Sequence, residues 1–316
     1  MFLRLIKHWL TNLTMMNIKY LTNNTIDKKK WDDCITNASN GLIYAYSYYL
    51  DAMAKNWDAL ILNDYEAVMP LTWNKKYGFY YIYQPFFTAS LGIFGKDISA
   101  DLLNKFLTAI PEKFKYWDFY LSNYFSVSHF ELYKRTNYIL PLNKNYELLF
   151  ASFRDSTKRN IKKAEQLGCI VKKEISIEEI IMLAAEQSNK FSPVTDEDYE
   201  KIMQLYKLLH NQQKAITYGT YSHNNELLAS CTFFFSHERA YYILVGNHPN
   251  GKTIGASHLL INEFIKDHAG ENLLLDFEGS EIKNIAFFYS SFGATEEKYM
   301  GIKLNKLPKL VRLLKK

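Results

Sequence analysis

The sequence predicts an α+β protein in which a mixed, mostly antiparallel sheet with helices packed on it is used twice in tandem. Three observations carry this expectation. Ala215–Ser222, Leu227–Ser236 and Arg239–Gly246 are apolar, aromatic-rich segments at regular spacing, with a His223-Asn224-Asn225 turn between the first two; that pattern reads as an antiparallel meander. A helical pattern over Gly255–His268 and a strand over Asn272–Phe277 follow, so the meander passes into a βαβ-like unit. The first half of the chain has the same rhythm. With 316 residues, 48% of them hydrophobic, the chain is long enough to bury one large or two medium cores.

In chain order, residues 1–16 are expected to be an extension, untranslated or disordered. Phe2, Leu5, Ile6, Trp9 and Leu10 fall near helical spacing with Arg4 and Lys7 between them, as on a membrane-surface helix, but a sensible domain begins at Asn17. From there helices are expected around Trp31–Asn37 and Ser47–Lys55, and strands over Trp57–Leu62, Ala67–Trp73 and Phe79–Ile82. Leu102–Pro111 reads as a helix, Tyr116–Tyr120 as a strand, Tyr124–Lys134 as a helix and Tyr138–Leu142 as a closing strand. The boundary is expected near Leu142–Tyr146, giving domains 17–144 and 145–316. In the second half, Tyr146–Ala151 and Asp155–Leu167 read as helices, the latter stopped by Gly168. A strand over Ile170–Lys173, a helix from Ile177 to Lys190 capped by Ser176, and a helix over Tyr199–Asn211 lead into the meander.

Composition excludes several classes. Cys34, Cys169 and Cys231 are odd in number and widely spaced, with no CxxC or Cys/His cluster, which argues against a disulfide framework or a structural zinc site and fits a cytoplasmic protein. No apolar run approaches the roughly 18 residues that span a bilayer. The net charge of +5 is unevenly placed: Arg154–Lys173 and Lys303–Lys316 are strongly basic. Such patches suit phosphate-rich ligands such as coenzyme A or tRNA, and are equally what a solvated helix face looks like. Arg154, Lys158 and Lys162 stand at i, i+4, i+8 and form one helical face. No aromatic residues interleave that row, so single-stranded nucleic-acid recognition has little support.

The most informative stretch is Asn272–Tyr299, NLLLDFEGSEIKNIAFFYSSFGATEEKY. An apolar run ends in Asp276 and Glu278, which point to the same face of a strand end. Gly279 and Ser280 turn the chain into a short helix carrying Tyr289. One carboxylate could deprotonate an incoming amine, and proximity with burial would raise one pKa toward neutrality; the alternatives are a cation-binding pair or a solvated strand end. A tyrosine, with an ordinary pKa of about 10, can protonate a departing thiolate near 8.5; with 24 tyrosines in the chain, a core aromatic is the plainer reading.

These segments, with the basic helix FRDSTKRNIKKAEQLGCIVKK and the loop-helix HPNGKTIGASHLL, resemble the GNAT acyltransferase fold, and the two-domain layout resembles its FemAB-related branch. The resemblance extends from Asn17 to the C-terminus. It implies two acyl-CoA N-acyltransferase-like domains, an acyl-CoA such as acetyl-CoA as co-substrate, and no metal. Lys252-Thr253-Ile254-Gly255-Ala256-Ser257 is similar to the family's pyrophosphate loop, where a helix N-terminus meets the diphosphate. It departs from the pattern in having Lys252 for the usual Gln/Arg and Ser257 at the last small position. Tyr289-Ser290-Ser291-Phe292-Gly293 resembles the Tyr-x-x-x-Gly that closes the fold.

The expectation is therefore direct transfer of an acyl group from coenzyme A to an amine of a small or cell-envelope-related acceptor. Asp276 or Glu278 would act as base, N–H groups near Val245 and Gly246 as oxyanion donors, and Tyr289 as acid. Arg154, Lys158, Tyr242 and His248 are the candidate substrate contacts, with Gly41–Tyr49 and Tyr83–Phe94 lining the acceptor cleft. The alternatives are an aminoacyl-tRNA-dependent transferase acting on a cell-wall precursor and a non-catalytic binding protein of the same fold.

Overall fold

The computed structural model describes residues 17–188, 194–279 and 281–313. The N-terminal extension, Ser280, the end of the predicted helix at Lys190, and Lys315 and Lys316 lie outside the described residues.

The N-terminal half contributes strands β1 (Ile18–Leu21), β2 (Trp57–Leu62), β3 (Ala67–Lys76), β4 (Phe79–Tyr83), β5 (Phe94–Gly95), β6 (Phe114–Leu121) and β7 (Leu132–Pro141). The C-terminal half contributes β8 (Ile170–Lys173), β9 (Ala215–Tyr221), β10 (Leu227–Ser236), β11 (Arg239–Asn247), β12 (Leu274–Asp276) and β13 (Thr295–Asn305). They form one mixed sheet in the order β1-β2-β3-β4-β6-β13-β7-β12-β11-β10-β9-β8, with β5 beside β3. The pairs β4–β6 and β11–β12 are parallel.

The meander, the helix Tyr146–Ala151 and strands β2, β8 and β10 stand where the sequence predicts them. Local chemistry explains their ends. Gly168 takes a left-handed φ of 73° just past the helix Asp155–Gln166, a conformation that costs glycine little. Thr195 and Asp198 form a reciprocal capping box at the start of the helix Asp196–His210.

One expectation is overturned and one strand is added. The helix predicted over Tyr124–Lys134 is irregular chain through residue 131, and Leu132 already begins β7. Two neighbours compete for this segment: β13 pairs with Leu132–Ile139 and β12 with Ile139–Pro141, so the ladder outweighs a weak helical pattern. The stretch after Ala294, for which the sequence carries no assigned element, is the eleven-residue strand β13, which takes in the first residues of the basic Lys303–Lys316 segment. Its central residues Tyr299, Met300, Gly301 and Ile302 are buried, and it inserts between β6 and β7. The chain's last strand therefore completes the sheet of the first half.

Side chains from both halves share one core. Trp31, Tyr44, Tyr49 and Trp57 pack in the same cluster as Ile180, Leu205, Phe234 and Tyr241. The opposite face of the C-terminal strands carries Phe233, Tyr242, Phe264, Phe277 and Phe292. Alternation along β11 thus puts Tyr241 on one face and Tyr242 on the other. No described helix is long and apolar enough to cross a membrane.

Candidate functional site

Strand β12 is three residues long and pairs with β11 only over Arg239–Tyr241. Past that point β11 continues to Asn247 with β10 alone as its described strand partner, so the sheet opens between β11 and the end of β12. A bulge deepens the opening. Register slips between Cys231 and Thr232, and Leu244 is left in a left-handed φ of 48°. A β-branched or bulky side chain there is strained, and bulges of this kind redirect the strand beside them.

Two cavities flank the opening. The first, about 610 Å³, is lined by Gly41, Leu42 and Tyr44, by Ala89 and Ser90, and by Asn137, Arg239, Asp276, Glu278 and Glu297. The second, about 620 Å³, is lined by Tyr242, Val245, Lys252, Ser257, His258 and Tyr289 among others. They belong to opposite faces of the sheet. Asp276 faces the side of Tyr44 and Tyr241, while Phe277 stacks on Tyr289 at 4.7 Å on the side of Tyr242. The predicted acid and base therefore stand on opposite faces of one strand end.

The two predicted carboxylates share a cavity but differ in chemistry. Asp276 is saturated: Oδ1 accepts from Asn137 Nδ2 and from the Glu278 N–H, both at 2.8 Å, and Oδ2 from Arg239 at 2.7 Å. Arg239 also forks onto Glu297 at 2.6 and 3.0 Å, so a buried network ties β7, β11, β12 and β13 together. Burial raises the Asp276 pKa against the pull of Arg239, whereas Arg239 outweighs burial at Glu297 and lowers it. Glu278 is different. Its φ of 62° turns it out of the strand, and part of its surface reaches the cavity. Protein closes around the carboxyl group itself, and that desolvation, with the Asp276 charge added, pushes its pKa well above the usual carboxylate range. Tyr44 donates a hydrogen bond to Glu278 Oε1 and pulls the other way.

On the other face, burial raises the Tyr289 pKa, with the Glu278 charge adding to it, so the phenol stays protonated. The Lys252–Ser257 segment is not an open loop. Pro249–Ile254 is itself a short helix, and Gly255 (φ 85°) joins it to the helix Ala256–Asp267. A Cβ on Gly255 would lie 2.5 Å from the Asn160 carbonyl oxygen, so the junction packs against the helix Asp155–Gln166. Lys252 and Ser257 line the cavity; Thr253, Ile254, Gly255 and Ala256 do not. Thr253 instead accepts Lys163 Nζ on its carbonyl, and Ala256 is fully buried. Val245 lines the cavity, while Gly246 is held under Leu183 and Ala184.

The remaining predicted contacts divide. Tyr242 lies in the cavity wall. His248 is the N-cap of Pro249–Ile254, its Nδ1 accepting from the Asn250 N–H, and lines neither cavity because that cap turns it away. Arg154 and Lys158 also line neither: Arg154 lies 4.7 Å over the Phe287 ring, and Lys158 Nζ caps the Ala151 carbonyl at 3.0 Å. Arg154 nevertheless borders the second cavity, because Phe287 lines it.

Gly41, Leu42 and Tyr44 from the expected Gly41–Tyr49 segment, and Ala89 and Ser90 from Tyr83–Phe94, do line the cavity of Glu278. Sequence reasoning missed Arg239, Glu297, Asn137 and His258, and the bond from Tyr44 to Glu278. Only His258 carries a local signal, lying inside the quoted loop-helix; burial holds it neutral, with a pKa of about 4, and its Nε2 lies 3.3 Å from Asn160 Nδ2. The others act through partners far away in sequence. Among the described residues no group of three or more His, Cys, Asp or Glu is placed to hold a metal.

The fold is GNAT-like and of the FemAB type. FemX superposes with a TM-score of 0.62 at 14% identity, covering 94% of this chain and 99% of its own. A conserved protein of unknown function from Bacteroides thetaiotaomicron gives 0.56 at 15%, covering 92% and 100%. The C-terminal domain of a protein assigned as a lysylphosphatidylglycerol synthetase from Agrobacterium fabrum gives 0.50 at 11%, covering 91% and 94%. No family model matches the chain, and no curated protein matches it in sequence.

Proposed function

We propose that the protein is a cytoplasmic acyltransferase whose two substrates enter from opposite faces of the sheet and react in the opening between β11 and β12. The observation that carries this reading is the early end of the β11–β12 pairing at Tyr241/Asp276, with a cavity at each mouth. A coenzyme A thioester would occupy the side of Lys252 and Tyr289, and an amine the side of Glu278. Bound there, the amine attacks the thioester carbonyl, forming the C–N bond. Glu278 accepts the proton from the amine nitrogen, which suits a carboxylate whose pKa burial raises well above its ordinary value. N–H groups around Val245 and Gly246 stabilise the oxyanion. The C–S bond then breaks, and Tyr289 protonates the thiolate. Asp276 fits a supporting role, since every oxygen is already engaged. In this reading 17–144 and 145–316 are two GNAT-like units that share the sheet.

A second reading has its own support: the exposed cation Arg154 borders the second cavity through Phe287, and the fold is shared with FemX. An aminoacyl-tRNA donor and a cell-wall-precursor acceptor would fit these features, with the same carboxylate as base. Calorimetric titration with acetyl-CoA and CoA separates the two. Micromolar binding that weakens on Lys252→Ala supports the thioester. Absence of binding by the folded protein overturns it, and salt-sensitive tRNA binding then favours the second reading.

A further inference from the structure

Glu278 depends on a residue that precedes it by more than two hundred positions. The segment Ile43–Ala45 is a single 3-10 turn fixed from several sides. Trp31 donates its indole N–H to the Ala45 carbonyl at 2.7 Å. The Asp32 carboxylate accepts from both the N–H and the hydroxyl of Ser47 at 2.7 Å. The Ile43 N–H donates to the Tyr241 hydroxyl at 3.3 Å. Tyr44 is thereby held 2% exposed, edge-on to Tyr49 at 5.4 Å and to Tyr241 at 5.3 Å. Its ring has no room to turn, and its hydroxyl ends on Glu278 Oε1.

We propose that Tyr44 is a positioning residue, supplied by the N-terminal half, that aims the Glu278 carboxylate at the opening between β11 and β12. The inference rests on the reading of Glu278 as the base. Without this donor, the left-handed backbone at Glu278 leaves the carboxylate free to swing into the cavity, because the Asp276 oxygens below it are occupied. The phenol does a second thing. As a donor to the ionised form it favours the carboxylate over the acid, offsetting part of the desolvation. The other groups facing Glu278 are Tyr49 on the helix Ser47–Met53, Tyr241 and Arg239 on β11, Asp276 on β12, Tyr289 on the helix Lys283–Ser290, and Glu297 on β13. Each of the three tyrosines is raised first by burial and stays protonated, so Asp276 is the charge that bears on Glu278, with Glu238, Arg239, Glu297 and Lys298 lining the same cavity. Arg239 is already shared between Asp276 and Glu297. Among the described residues, Tyr44 is the group that bonds the Glu278 carboxylate directly.

The test reads Glu278 itself and needs no substrate. The whole protein is labelled with 13C at glutamate side-chain carboxyl groups and titrated by NMR, with Glu278→Gln identifying the resonance. Tyr44→Phe keeps the ring packing and removes the donor. The titration midpoint of Glu278 is expected to rise by roughly one to two pH units. Tyr49→Phe, which loses a hydrogen bond to the Phe87 carbonyl instead, is the control and is expected to move it far less. Fluorotyrosine at position 44, a stronger donor of the same shape, is expected to lower the midpoint, and it covers the case in which Tyr44→Phe does not fold. An unmoved midpoint in folded Tyr44→Phe, or in the fluorotyrosine protein, overturns the inference. Failure of the underlying reading looks different: the midpoint responds to position 44 while Glu278→Gln transfers acyl groups at the wild-type rate.

Discussion

The buried network around Arg239 makes the sharpest stability prediction. Arg239→Met keeps most of the side-chain length and removes the guanidinium that neutralises Asp276. The Asp276 and Arg239 side chains are 6% and 19% exposed, while Glu297 is 35% exposed and relaxes toward water. Asp276 therefore decides the magnitude. Breaking a buried pair by removing one partner costs about 3–5 kcal/mol, and we take the lower end because Asn137 and the Glu278 N–H still donate to Asp276. In urea, with a slope of about 3 kcal/mol/M, the unfolding midpoint is expected to fall by about 1 M at pH 8. The sign of the pH dependence follows. Burial already raises Asp276 in the folded protein, and losing Arg239 raises it further. A carboxyl group raised above its unfolded value of about 3.9 destabilises the fold at neutral pH, and this penalty fades as acid protonates it. The gap between wild type and Arg239→Met is thus expected to narrow from pH 8 to pH 5, and Arg239→Met/Asp276→Asn to recover part of the loss at pH 8. A loss under about 1 kcal/mol at pH 8, or one equally large at pH 5, would refute this reasoning.

Two other substitutions test the site. Glu278→Gln is expected to lower kcat by about 10²–10⁴-fold in an acyl-transfer assay and to leave the urea midpoint nearly unchanged, whereas Asp276→Asn lowers the midpoint as well; equal effects on both measurements would remove the distinction between the carboxylates. In wild type the rate should rise with pH through the raised Glu278 midpoint, because the base works only when ionised. Gly255→Ala puts a Cβ 2.5 Å from the Asn160 carbonyl oxygen at a φ of 85°, so a loss of about 1–3 kcal/mol and weaker donor binding are expected, checked by urea unfolding and calorimetry. A variant as stable as wild type would show that the junction shifts freely.

Much of this protein is legible in its sequence because local chemistry decides it. Apolar and aromatic runs bounded by turn residues define β2, β9, β10 and β11, and Gly168 and Ser176 punctuate the helices between them. The pair Asp276 and Glu278 stands out for the same reason: a short apolar strand ends in charge. Residue type and spacing also locate Tyr289 on its own short helix.

Tertiary structure decided the rest, through pairings that no local window contains. Thr295–Asn305 is a strand because β6 and β7 offer it two edges and bury Tyr299, Met300 and Ile302; its polar ends and Gly301 conceal that pattern. Which carboxylate is engaged and which is available follows from Asn137, Arg239 and Glu297, brought to Asp276 from three other strands. Sequence by itself determined most of the strands and helices, though not the start of β7 or the whole of β13, and where charge gathers at a strand end. The order of the strands, the opening beyond Asp276 and the contact of Tyr44 with Glu278 came only from the fold, because burial and hydrogen bonding act between residues that are near in space and far apart along the chain.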